Sequence, residues 1–241
     1  MWNTLIYNPL YNTFVFILSH LPNASVAGSV IIFTILVKIL LFPLYQKSIR
    51  SQQAMKLIEP EMKELQKKHK DDRAELGKQT MELYKKNNIN PFSSIGLILI
   101  QLPILIGLYM VFSKGLQNHA GHLYSFVHFP EQINSLMFGF IDATKPFILL
   151  GVFAGITQAI QARLSFPKIV ENKNNSDDKP SFADEFAKSM RVQVLYVLPA
   201  FIVLISIKLP SAITLYWVVA NIFGIGQEWY VRRSLKVEVK G

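Results

Sequence analysis

Lys38 stands in the run TILVKILLFPLY, with three apolar residues on either side. A full charge at the centre of a bilayer costs about 2.5–3.5 kcal/mol on insertion scales, so such a residue marks a function or a pairing. Thr34 lies one helical turn away on the same side. Other apolar runs carry uncharged polar groups: Gln101 ahead of Pro103, then Thr157, Gln158 and Gln161, then Thr214, Trp217 and Asn221. Thr214, Trp217, Asn221 and Glu228 follow at spacings of three, four and seven, which makes a polar stripe on one helical face. An ammonium group attracts carboxylates, and amides and hydroxyls hold water or bind a neighbouring helix. Several runs each contributing such groups fit a hydrated groove better than isolated helix-to-helix contacts. Snorkelling of Lys38 alone is the plainer reading, since about 10 Å of helix separates it from the inner end at Tyr45.

The same inventory argues against catalysis. There is no intramembrane Asp pair, no G-x-S-x-G and no H-E-x-x-H. With no cysteine there is no thiolate site and no disulfide. His119, His122 and His128 lack any carboxylate or thiol spacing to support a metal, so they read as a surface loop. No metal, cofactor or nucleic-acid motif is expected.

The elements that must position these residues follow from the arrangement of apolar blocks. The chain has 241 residues, 51% of them hydrophobic, with charges gathered between the blocks. Five segments come near the ~20 residues that a ~30 Å hydrocarbon core requires: 25–45, 92–114, 146–164, 192–208 and 211–230. The last two are joined only by a short KLP connection and form a tight helical hairpin. Residues 1–24 lack Lys and Arg, and their aromatic residues and Pro9 suit a helix lying at the membrane interface. A short first span over Leu10–Leu21 is the alternative, but it is too short to cross. The fold class expected is an all-α membrane protein of five transmembrane helices, with an N-terminal interfacial helix.

Orientation follows from Lys and Arg. Eleven lie between Gln46 and Pro91, six between Arg163 and Arg191, and four after Tyr230, against only Lys114, Lys145 and Lys208 on the opposite side. The N-terminus is therefore expected outside and the short basic tail 231–241 in the cytosol. Residues 46–91 read as a cytosolic helical hairpin, with Met55, Ile58, Met62 and Leu65 on one stripe and HKDDR as the turn. A solvated charged hairpin held by topology alone is the plainer reading. Residues 165–191 read as a polar cytosolic loop. The outer loop 115–145, with Phe126, Phe129, Phe138 and Phe140, suits the membrane interface.

Four stretches in order resemble the YidC/Oxa/Alb membrane-protein insertase family, in its short bacterial form without a large extracytoplasmic domain. They are TILVKILLFPLYQKSIRSQQAMKLIEPEMKELQKKH, MELYKKNNINPFSSIGLILIQLPILIGLYMVF, FGFIDATKPFILLGVFAGITQAIQARL and PSAITLYWVVANIFGIGQEWYVRR. The resemblance implies insertion and folding of client membrane proteins, alone or beside the Sec translocon, through a groove open to cytosol and lipid. It places Lys38 at the groove's basic position, where family members often carry arginine. Lysine keeps the point charge but gives up bidentate carboxylate pairing. Gln161 resembles the family's groove glutamine, and Tyr216 and Trp217 its client-contacting aromatic pair. The second span reads SSIGLILIQLP where a Gly-Cys-x-Pro element is common. On the hairpin, Met55, Ile58, Glu59, Met62 and Tyr84 are then expected to meet clients, the ribosome or Sec partners, with the protein working as a monomer. A small transporter or channel using the same polar cavity is the alternative. It would need inverted repeats or broken helices, and no internal repeat is evident.

Overall fold

The computed structural model describes residues 2–69, 72–90, 93–113, 116, 121–165, 189 and 192–238. Most of the polar loop read at 165–191 and the end of the basic tail lie outside the described residues. The helices in chain order are α1 (Asn8–His20), α2 (Val26–Leu40), α3 (Phe42–Leu57), α4 (Glu59–Lys68), α5 (Arg73–Lys86), α6 (Ser93–Ser113), α7 (Ile148–Ser165), α8 (Leu198–Ser206) and α9 (Ser211–Glu238). A single antiparallel strand pair, β1 (Leu136–Met137) and β2 (Ile141–Asp142), sits between α6 and α7.

Prolines and caps set the boundaries. Ser25 caps α2 by accepting from the Gly28 N–H, and Asp72 caps α5 by accepting from the Glu75 N–H. Wide π-type turns at Asn3–Tyr7 and Gln193–Val197 each end two residues before a proline, Pro9 and Pro199. A proline has no N–H and crowds the carbonyl four residues back, and the wider turn relieves both problems. The segment read as one continuous span over 25–45 is instead two helices broken at Leu41, with a 61° bend. The cause is Pro43 in the first turn of α3, which interrupts the backbone ladder.

By length and composition, α7 is the one helix among the described residues apolar enough to cross a membrane by itself. The bent pair α2–α3 becomes a second if counted as one span, and shorter apolar helices cover Leu99–Ser113 and Gln193–Ser206. Helix α9 is long enough, but it carries the polar stripe that lowers its apolar character.

Helix α9 is the hub, packing against α2 and α7 along its length and touching α3 and α6. The core gathers Tyr11, Phe14 and Leu18 of α1, Val30 and Phe33 of α2, Leu108 of α6 and Tyr216 of α9. Phe14 meets Phe33 and Phe112 edge-on at 6.1 and 5.3 Å. The N-terminal helix thus lays its apolar face onto α2 and α6. Asn12 then ties α1 to the following loop, donating to the His122 carbonyl at 2.9 Å and accepting from the Tyr124 N–H at 2.7 Å.

That loop is clipped to the same end of the bundle by backbone bonds between Asn134 and residues 24 and 26, and between Ala143 and Ala212. The β1–β2 turn carries Phe138 and Gly139 at positive φ and leaves Phe138 and Phe140 exposed. The helices α4 and α5 pack as a pair around Ile58, Leu83 and Ile89. Ser51 fixes that pair to α3 by bonding both the carbonyl and the N–H of Asn90.

Gly151 and Gly155 let α7 and α8 approach closely. A Cβ on Gly151 would lie 1.8 Å from Ser206 Oγ, and one on Gly155 would lie 2.5 Å from Val203 Cγ2. Gly151→Ala is therefore expected to destabilise by about 1–3 kcal/mol, the range for overpacking. Thermal unfolding in detergent should show a lower midpoint, partly recovered in Gly151→Ala/Ser206→Ala.

Candidate functional site

The bend at Leu41 brings Tyr45 back over Lys38. In a straight helix, residues seven apart are separated by about 10.5 Å of rise. Here Lys38 Nζ donates to Tyr45 Oη at 3.2 Å and lies 4.3 Å from the centre of the Tyr45 ring. The Tyr45 hydroxyl donates to Gln101 Oε1 at 3.2 Å, and the Gln101 amide donates to the Tyr216 hydroxyl. One ammonium thus heads a chain of three hydrogen bonds running through α2, α3, α6 and α9. Lys38 is only 4% exposed and Tyr216 is fully buried, with Tyr45 and Gln101 half-buried between them. Among the described residues no carboxylate lies within ion-pairing distance of Lys38. Its charge is met by a hydroxyl dipole and the face of a ring.

The other expected site residues fall into different places. Asn221 of α9 donates to Thr157 Oγ1 at 3.2 Å and lies 3.4 Å from the Ala154 carbonyl, which ties α9 to α7. Gln161 lies over Gly224, where a Cβ would come within 2.2 Å of its amide nitrogen. Gln158 is half-buried on α7, and Trp217 packs half-buried against the core. Thr34 turns its hydroxyl back to the Val30 carbonyl at 2.6 Å. Thr214 is fully buried, and its hydroxyl has no hydrogen-bond partner among the described residues. The structure therefore joins Lys38 through Tyr45 to Gln101 and Tyr216, and joins Asn221 to Thr157 in a second knot.

Tyr45 was missed in the sequence, where it marked only the end of a span. Its partnership depends on the Pro43 bend, and Lys–x6–Tyr spacing by itself carries no such signal.

A third knot lies further along α9. Glu228, 3% exposed, accepts from Ser165 Oγ at 3.1 Å and from Arg232 Nε at 2.9 Å. Arg232 also donates to the Leu164 carbonyl at the end of α7. Gln227 donates to the Phe42 carbonyl at 3.0 Å, so α9 grips the bend itself. The Glu228–Arg232 spacing of four could have found the ion pair in the sequence. Nearby, Lys56 is held down to about 8, first by burial and then by the Arg232 charge, with Glu228 acting in the opposite direction.

Of the hairpin residues expected to meet partners, Ile58 is core, and Met55, Met62 and Tyr84 pack against it. Glu59 pairs with Lys63 at 2.8 Å. The stripe read from the sequence is spent on holding α4 and α5 together, while Leu57 and Met81 are the exposed apolar residues there. Among the described residues no group of three or more His, Cys, Asp or Glu could hold a metal ion.

Comparison with known proteins places these residues in a wider setting. The family model described as "60Kd inner membrane protein" matches residues 17–238. A membrane protein insertase YidC of Oleidesulfovibrio alaskensis is 31% identical over 235 residues, covering 97% of this chain and 39% of that protein. A membrane protein insertase YidC of Francisella tularensis subsp. novicida is 31% identical over 212 residues, covering 88% of this chain and 33% of that protein. The chain therefore spans about a third to two fifths of the length of these relatives.

The third knot generates two expectations. Arg232→Met leaves Glu228 buried without its cation and should destabilise by about 3–5 kcal/mol, whereas Glu228→Gln/Arg232→Met should recover much of that loss in thermal unfolding. Arg232→Met should also raise the Lys56 value, because a like charge is removed. The burial cost of charged Lys56 is present in full below about pH 8 and is relieved as pH rises towards its ordinary value of 10.5. Titration of isotopically methylated lysine by NMR would read the shift, and a fall or no change would contradict this electrostatic assignment.

Proposed function

The chain belongs to the YidC/Oxa/Alb family of membrane-protein insertases, and we propose that it inserts client transmembrane segments and helps them fold. The proposal includes the five-span topology, with the N-terminus outside, the α4–α5 pair in the cytosol and α1 at the outer membrane interface. The asymmetry of Lys and Arg along the chain supports that orientation. The relatives' name supports a client that is itself a membrane protein.

The single observation carrying the mechanism is Lys38, buried in a polar seam built by four helices and without a carboxylate of its own. A client's translocated tail carries polar groups that are costly to bring into hydrocarbon. A polar seam partway through the bilayer, opened and hydrated, shortens the apolar distance that the tail must cross. Lys38 attracts acidic residues in the tail more strongly there than in bulk water, because the effective dielectric is lower. The client's apolar segment then leaves sideways into lipid, driven by the hydrophobic effect. Thr34, Gln101, Gln158, Gln161, Thr214, Tyr216, Trp217 and Asn221 line this proposed route. The α4–α5 pair, through Met55, Ile58, Glu59, Met62 and Tyr84 or the exposed residues beside them, receives the client or meets the ribosome or the Sec translocon. The protein acts as a monomer, without enzymatic chemistry.

Lys38→Glu is expected to reduce insertion of acidic-tailed clients about tenfold or more in an insertase-depleted cell, while Lys38→Arg retains most activity. Site-specific crosslinking of a stalled nascent chain to position 38 or 217 is expected in the same strain. Undiminished insertion of acidic-tailed clients by Lys38→Glu would remove charge attraction from the mechanism.

A further inference from the structure

We infer that Tyr45 is a built-in cover for Lys38, holding the place that a client carboxylate takes and so setting how acidic a client tail must be to engage. This rests on the insertase reading above.

The Tyr45 ring and hydroxyl both address the ammonium, one at 4.3 Å to its centre and the other at 3.2 Å. These are the two interactions a neutral aromatic residue offers a cation, and both are weaker than a carboxylate's charge-assisted bond. The cover is also tethered. Its hydroxyl donates to Gln101 Oε1, and Gln101 in turn donates to Tyr216 on α9. Each donor in this chain points away from the ammonium, so the positive charge polarises all three bonds in the same sense. Removing Tyr45 from Lys38 therefore also loosens a polar link from α3 through α6 to α9.

The hinge that sets the cover is the break at Leu41, where a 61° bend places α3 against the end of α2. Gln227 of α9 holds the carbonyl of Phe42 at that hinge. A client carboxylate approaching Lys38 meets a competitor that is already in place and intramolecular, so a single weak acid is disfavoured relative to several. Tyr45 is thus a positioning and specificity-determining residue that acts through Lys38.

The test uses the full chain in liposomes. Because the chain has no cysteine, amine chemistry can be read by mass spectrometry without thiol side reactions. Tyr45→Leu keeps apolar volume but removes ring and hydroxyl, and acetic anhydride should acetylate Lys38 several-fold faster in it than in the unaltered protein. Tyr45→Phe keeps the ring and frees it from Gln101, and should fall between the two. Equal Lys38 acetylation in all three would overturn the cover. In the second arm, the ratio of inserted acidic-tailed to neutral-tailed client should rise about threefold or more in Tyr45→Leu. An unchanged or lower ratio would overturn the role in selection, since a merely structural residue would reduce both clients alike. Failure of the insertase reading is seen separately, as insertion of neither acidic-tailed nor neutral-tailed client by the unaltered protein.

Discussion

Burial of the Lys38 ammonium is the constraint around which the rest of the structure is arranged. An isolated charge in a low-dielectric interior is too costly to persist without partners. Among the described residues the partners supplied are a hydroxyl and a ring, not a carboxylate. Pro43 breaks the helix, the break turns α3, and the turn delivers Tyr45 to the ammonium. Gln101 and Tyr216 then extend the polar contact across two more helices. The helix break, the position of α6 and a fully buried tyrosine hydroxyl on α9 are all tied to one charge.

Helix α9 carries most of this burden because its polar residues meet three different neighbours. Tyr216 reaches α6, Asn221 reaches α7, Gln227 reaches the α2–α3 break, and Glu228 receives Ser165 at the end of α7. Each bond satisfies a group that would otherwise be buried unpaired, so each also fixes the rotation of α9. At the other end of the bundle the devices are different. Asn12 and backbone bonds from Asn134 and Ala143 clip the loop before α7 onto α1, α2 and α9. That end is held largely by backbone bonds, while the Lys38 seam is held by bonds between side chains.

Much of this was legible in the sequence. Apolar blocks and prolines marked several helices, since both act locally on the backbone, but they did not reveal the break at Leu41 or the run of α3 on to Leu57. The polar residues of the seam were also visible, because a lysine or glutamine among leucines is conspicuous. Their partners were not. The link from Lys38 to Tyr45 depends on a bend angle, and that from Gln101 to Tyr216 on a packing between helices 115 residues apart. The hairpin stripe was visible as apolar residues at helical spacing, but it straddles the break at Ile58 between α3 and α4, and a sequence cannot say whether such residues meet their own partner helix or another protein. Ile58, Met55 and Met62 meet their own partner helix.

The absence of a carboxylate beside Lys38 among the described residues has a physical sense of its own. A permanent Asp or Glu would lower the cost of burying the ammonium, but it would also cancel the field that the site presents. A tyrosine hydroxyl and ring stabilise the cation less and leave its charge unneutralised. Such an arrangement keeps part of the desolvation cost unrelieved in the resting protein, and that unrelieved cost is what an arriving anion recovers. If Tyr45 covers Lys38 as proposed, the neutral cover returns when the carboxylate leaves. In the proposed insertase role, where each client must leave into lipid, a moderate and reversible attraction serves better than a tight ion pair, because a site that held its client firmly would stop after one.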